Sequence, residues 1–161
     1  MKKIVNPWIG MEGYDCFGCA PENPCGLHME FYEDEDDIVA FWKPDNHFQG
    51  WLKTLHGGII AALMDETAGW IIFRKLQTSG VTSRLEARYL KSISTEEPEI
   101  TIRGRIKEQK RNAVFLETEV YNSKNELCAR ADMVYFIMPC DVAREEYHFK
   151  PCEVEDGKLE K

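Results

Sequence analysis

A chain of 161 residues is long enough for one domain built on one core. Its 43% hydrophobic and 30% charged residues exclude a disordered or fibrous protein. A net charge of −8, from 20 basic and 28 acidic residues, argues against general nucleic-acid binding and for a soluble protein. Acidic residues crowd positions 30–37 and the stretch after Cys152, where they read as solvated turn and terminus.

Residues 1–7 begin with charge and lack the apolar run of a signal peptide, and no later run is apolar enough to span a membrane. The expected setting is cytoplasmic, with the six cysteines reduced and no membrane partner. Pro7, Pro21 and Pro24, with Gly10, Gly13, Gly18 and Gly26, punctuate residues 1–26, which read as an irregular N-terminal segment. Within it, Cys16, Cys19, Cys25 and His28 are spaced C-x2-C-x5-C-x2-H. Three thiolates and an imidazole suit zinc, but the second pair is unusually spaced. The reading adopted is a turn with small thiols packed on the core and no metal.

Residues 27–33 and 38–42 read as two strands of a hairpin, turned at 33–37 and ended by Pro44. A loop over 45–54 leads to the most informative stretch, which runs from Leu55 to Lys75. It contains no proline after Gly57 and is apolar in almost every direction around a 3.6-residue period, the pattern of a buried helix. Asp65, Glu66 and Thr67 sit near its middle, too polar for a membrane span. After Gly80 everything is strand-like: 81–90, 99–109, 113–121 and 127–138, the last stopped by Pro139. In the second of these, Ile100, Ile102 and Ile106 share one face, opposite Thr101, Arg103, Arg105 and Lys107. Turns as short as 110–112 and 122–125 require antiparallel pairing. A sheet with one apolar face must cover something apolar, and only the helix is long enough. The expected architecture is α+β, an antiparallel sheet curled around one long helix over residues 27–138. A tail follows over 139–161, with a short helix or turn at 141–148.

One helix wrapped by an antiparallel sheet, with His56-Gly57-Gly58 at its start and Asp65 nine residues after the histidine, resembles the hotdog-fold acyl-CoA thioesterases, closest to the PaaI-like (phenylacetic-acid-degradation type) branch. Gly80-Val81-Thr82, Arg88-Tyr89-Leu90 and the Cys16-Phe17-Gly18-Cys19 opening with Gly26-Leu27 are also similar. The resemblance covers roughly residues 14–138. It implies hydrolysis of an acyl- or aryl-CoA to free acid and CoA, no bound cofactor, and a homodimer or a tetramer made as a dimer of dimers. It also implies a site in which Asp65 of one subunit faces the His-Gly-Gly amides of another.

The residue types fit that chemistry. The first amides of a helix lack intrahelical acceptors and carry the positive end of its dipole, and glycine lets a carbonyl approach them. Gly57 and Gly58 are therefore candidate donors to a thioester oxygen, or else a tight turn. Asp65, about 12 Å further along the helix, is the candidate base or nucleophile. Glu66 points about 100° away and is the alternative carboxylate. His56 is a candidate for orienting substrate, or a helix cap. By resemblance, Thr82 helps hold the attacking water, and Gln49, with Asn46 as substitute, donates to the thioester oxygen. Trp51 is a candidate pocket residue, as are Trp42, Phe48 and Trp70 unless they pack the core. Arg84, Arg88 and Lys91 are candidates for the CoA phosphates, within a basic group that a solvated sheet face explains as well. Two rivals stay open: an acyl-thioester hydratase or dehydratase of the same fold using His56, and a non-catalytic acyl-CoA-binding module.

Overall fold

The computed structural model describes residues 1–155. Its elements are β1 (Lys2–Lys3), β2 (Phe31–Asp34), β3 (Asp37–Trp42), α1 (Gly57–Ile71), β4 (Gly80–Tyr89), β5 (Ile100–Lys110), β6 (Ala113–Tyr121), β7 (Leu127–Ile137) and α2 (Cys140–Glu146). Seven strands form one antiparallel sheet in the order β1-β2-β3-β5-β6-β7-β4, and the single long helix packs against it. This is the hotdog fold that the sequence led us to expect. No described helix is long and apolar enough to cross a membrane.

Alternation explains the sheet. Along β6, Val114, Leu116, Thr118 and Val120 are buried while the residues between them are half-exposed. β7 sets Ala129, Ala131, Met133 and Tyr135 on the same covered face. β4 follows the helix in sequence yet pairs with β7 at the sheet edge, so residues 90–99 cross to the centre, pinned by buried Ile93. The order then runs β3-β5, which seats the helix across the middle strands.

Helix and sheet approach each other closely at Gly104. A β-carbon there would lie 2.8 Å from Ile71 Cδ1 and 2.8 Å from Thr118 Cγ2, so only hydrogen fits between helix and strand. Trp70 stacks on Phe31 at 4.7 Å and 16°, and Trp8 meets Trp70 edge-on at 5.9 Å. Trp42 is buried and its indole N–H donates to the Leu27 carbonyl at 2.7 Å. Trp42 and Trp70 are thus core residues, whereas Trp51 is 83% exposed.

Residues 57–75 do not form one uniform helix. After Ile71 the winding loosens into a π turn over Ile72–Leu76, ended by Gln77 in the left-handed region (φ 51°). That turn aims Arg74 and Lys75 together at Glu33 on β2, at 2.9 and 2.7 Å. The N-terminal segment is also less irregular than its glycines and prolines suggest, because β1 pairs with β2. The C-terminal stretch packs rather than trails: Phe149 and Cys152 are buried, and the Arg74 guanidinium and Gln77 amide both donate to the Cys152 carbonyl.

Two outcomes follow from this packing. Gly104→Val forces helix and sheet apart and should lower stability by about 1–3 kcal/mol, read from the urea midpoint. At Glu33, burial alone would raise the carboxyl pKa, but Arg74 and Lys75 outweigh it and hold the group below its ordinary 4.5. The stabilisation from this pairing is present above 4.5 and is lost as pH falls through the depressed value. Acid titration of stability should therefore be shallower below pH 4.5 in Glu33→Gln than in the parent.

Candidate active site

Asp65 sits on the half-open side of α1, between buried Met64 and half-exposed Glu66. Two hydroxyls donate to its Oδ1: Thr82 Oγ1 at 2.8 Å and the Tyr135 phenol at 2.8 Å. The phenol also lies 2.9 Å from the Asp65 carbonyl. Oδ2 has no donor among the described residues, and Asp65 lines a cavity of about 630 Å³. Asp65, Thr82 and Tyr135 line it, with Gly69, Val81 and Phe73.

Thr82 reaches Asp65 because β4 is irregular. In strict alternation it would share the outer face with Arg84 and Glu86. The register against β7 shifts between Thr82 and Arg84, so Thr82 pairs with Tyr135 while Arg84 pairs with Val134. A bulge at Ser83 turns Thr82 inward and leaves Arg84 outward. Tyr135 is the partner that sequence reasoning missed. The available signal was a polar-tipped residue in the buried phase of β7, since a buried phenol needs a hydrogen-bond partner. Burial, then the charge of Asp65, raises its pKa well above that of a free tyrosine, so it remains a donor.

The His-Gly-Gly end lies on a different cavity, of about 350 Å³, lined by His47, Phe48, Gln49, His56, Gly58 and Ile59. His56 is the N-cap of α1, and its Nδ1 accepts from the Gly58 amide at 2.8 Å. The Gly58 donor is thereby engaged within its own chain. The Gly57 amide has no acceptor among the described residues, while the Gly57 carbonyl takes the Tyr89 hydroxyl at 2.9 Å. Gln49 Oε1 accepts from the Lys53 amide at 3.1 Å, and Asn46 Oδ1 from Thr95 Oγ1 at 2.6 Å. Gly58 and Asp65 of one chain therefore line two separate cavities.

The basic residues of the sheet are mostly neutralised. Arg103 pairs with Asp34 and Asp37, Arg105 with Glu117, and Lys107 with Asp132. Lys91 meets Glu126 at 2.7 Å and Arg88 meets Glu86 at 3.5 Å. Arg84 has no ion pair among the described residues and is exposed on the edge strand.

Glu66 looks away from Asp65, as the helix geometry requires. Its Oε1 accepts from the Trp70 indole at 3.1 Å and lies 3.5 Å from Cys16 Sγ. The four-residue C-x2-C-x5-C-x2-H set does not assemble. Cys25 is exposed, and the His28 ring engages the Asn23 carbonyl. Cys16 and Cys19 do meet, at 3.2 Å between sulfurs. The hydrogen bond from Cys19 lowers the Cys16 thiol pKa against the effect of burial, while giving that bond, together with burial, pushes the Cys19 thiol up.

Residues 52–129 match the family model of the thioesterase superfamily. That segment holds His56, α1, Asp65 and Thr82, and ends before Tyr135. Among solved structures, a hypothetical thioesterase from Streptococcus pneumoniae TIGR4 with coenzyme A aligns at TM-score 0.65 and 22% identity, over 70% of this chain and 90% of that one. That protein was also solved with an aspartate or a threonine replaced by alanine. A Streptococcus mutans UA159 protein bound to acetyl-CoA aligns at 0.64 and 19% identity, over 70% and 90%. A Haemophilus influenzae thioesterase aligns at 0.63 and 20%, over 71% and 80%. These likenesses show the shared hotdog fold. No curated protein matches the chain.

The state of the Tyr135 phenol can be read directly. In an alkaline spectrophotometric titration, Tyr135→Phe should leave the amplitude of tyrosinate formation up to pH 11 unchanged. A loss of one tyrosine's amplitude would show that the phenol ionises with the rest.

Proposed function

We propose that the chain is a thioesterase that hydrolyses an acyl- or aryl-CoA to the free acid and CoA, with Asp65 as general base or nucleophile. One observation carries this reading: two hydroxyls pin one oxygen of a carboxylate that lines a cavity and leave the other oxygen without a donor. A carboxylate fixed this way presents a lone pair in a set direction, which is what proton abstraction needs. As base, Asp65 takes a proton from water while the water oxygen adds to the thioester carbon. The carbon–sulfur bond then breaks, CoA leaves as its thiol, and the acid is released. As nucleophile, Asp65 adds to that carbon itself and the carbon–sulfur bond breaks, expelling CoA as its thiolate; water then cleaves the resulting anhydride, freeing the acid and Asp65, and its proton goes to the thiolate. The pneumococcal structure with coenzyme A and the Streptococcus mutans structure bound to acetyl-CoA support the substrate class.

The carbonyl needs a donor as well, and Asp65 and the Gly57 amide do not share a cavity within one chain. We infer a homodimer, or a tetramer built from it, in which the Gly57 amide of one subunit faces Asp65 of the other. β4 supports this. It is a ten-residue edge strand with one side unpaired and Val81 and Tyr89 exposed, beside the half-open face of α1. His56 then serves by capping the helix and orienting Gly57, and Gln49 and Asn46 shape the rim of the amide cavity. Arg84, with Arg88 and Lys91 alongside, is the candidate for the CoA phosphates, because its charge is uncommitted. Trp51, thrust into solvent, is available to a neighbouring subunit or to the substrate.

Asp65→Asn keeps the size and the Thr82 contact but cannot accept the proton. It should lower kcat on whichever acyl- or aryl-CoA the parent cleaves by at least about 100-fold, with CoA binding retained. A folded variant that turns over substrate at the parent rate would refute the assignment.

A further inference from the structure

Cys16, Cys19 and Glu66 place two sulfurs and a carboxylate oxygen within 4.8 Å of one another, in a cluster that the proposed hydrolysis does not use. The residues come from two distant parts of the chain, an N-terminal turn and the middle of α1. The turn is shaped around the carboxylate: a β-carbon at Gly18 would lie 2.2 Å from Glu66 Cδ, so position 18 admits only glycine while Glu66 stays where it is. Tyr14 Oη lies 3.0 Å from Cys19 Sγ and is itself held by the Asn6 amide at 2.8 Å. The sulfurs therefore have an ordered outer layer of hydrogen bonds, the kind that orients metal ligands.

We propose that Cys16, Cys19 and Glu66 form a zinc site that fastens the N-terminal segment to α1. C-x2-C is a spacing that chelates one tetrahedral ion. Zinc holding thiolates at about 2.3 Å and a carboxylate at about 2.1 Å sets sulfurs about 3.8 Å apart and sulfur to oxygen about 3.5 Å. The Cys16–Glu66 distance is already 3.5 Å, and the sulfurs, at 3.2 Å, have to part by about half an ångström. Binding releases the two thiol protons to solvent; the two thiolates neutralise the divalent ion and the carboxylate leaves the site with one net negative charge. The fourth position opens on the cavity that Asp65 also lines. A Cys16–Cys19 disulfide is the competing use of the pair, but it leaves Glu66 with no cation, whereas the ion engages all three groups. The assembled set is not the four-residue one written in the sequence, since Cys25 and His28 stand outside it.

The test is to reduce the full-length chain, remove metal, and titrate it anaerobically with Co²⁺ and separately with Zn²⁺ against a chromogenic chelator. The expected result is one ion per chain, with a thiolate-to-cobalt charge-transfer band that Cys16→Ser and Cys19→Ser each abolish. Cys25→Ser should leave band and stoichiometry unchanged. Glu66→Gln, which keeps both thiols, should weaken zinc at least tenfold. The proposal is overturned if the parent chain gives no charge-transfer band, if the band survives Cys16→Ser, or if Cys25→Ser removes it. These readouts do not pass through hydrolysis, and the cobalt titration of the parent needs no variant to fold.

Discussion

Two adjacent carboxylates on a helix enclosed by a sheet set the terms for the rest of this structure. Neighbouring side chains on a helix diverge by about 100°, so Asp65 and Glu66 cannot share partners, and each needs its own polar surroundings. Asp65 obtains them from the sheet edge, through Thr82 on β4 and Tyr135 on β7. Glu66 obtains them from a segment outside the sheet's main strands, through the turn that carries Cys16, and from Trp70 one helical turn on. The bulge at Ser83 and the glycine at position 18 are the two backbone devices that make this possible. One re-aims a hydroxyl and the other removes a methyl group.

Much of this was legible in the residues. Period-2 alternation in β5, β6 and β7 and the all-round apolar helix dictate a curled sheet on one helix. The Asp65 position and its Thr82 partner came from a resemblance that alternation alone would have contradicted, because Thr82 falls on the outer phase of an unbulged β4. Tyr135 was hidden for a different reason. Tyrosine is common on half-buried strands, and nothing local distinguishes a phenol aimed at a carboxylate from one that reaches water. The ligand pattern of residues 16–28 shows the limit of spacing arguments. Cys16 and Cys19 are close because a short turn makes them so, whereas Cys25 and His28 are exposed and held by local bonds to Asn23. The winding change after Ile71 has no sequence period of its own; it goes together with the ion pairs of Arg74 and Lys75 with Glu33.

The separation of the two cavities bears on how the fold is used. Along one helix the cap and the carboxylate lie about 12 Å apart, further than a single thioester group extends. One side of β4, at the sheet edge, is unpaired among the described residues, beside the half-exposed face of α1. His56 closing its own cap onto Gly58 is informative in this respect. It leaves Gly57 as the amide without an internal acceptor, so that a single donor rather than a broad cradle is presented.

The two ends of the described chain run side by side. Ile4 bridges Val154, the Val5 amide donates to the Glu153 carbonyl, and the Glu155 amide donates to the Lys3 carbonyl. Trp8 is wedged between them, its indole N–H on the His148 carbonyl and its ring against Phe73 and Phe149. The opening and closing stretches thus behave as one lapped seam over the far end of α1. A protease cut in either half would free both and wet the aromatic wedge beneath, so trimming this protein to its sheet and helix would remove part of its core.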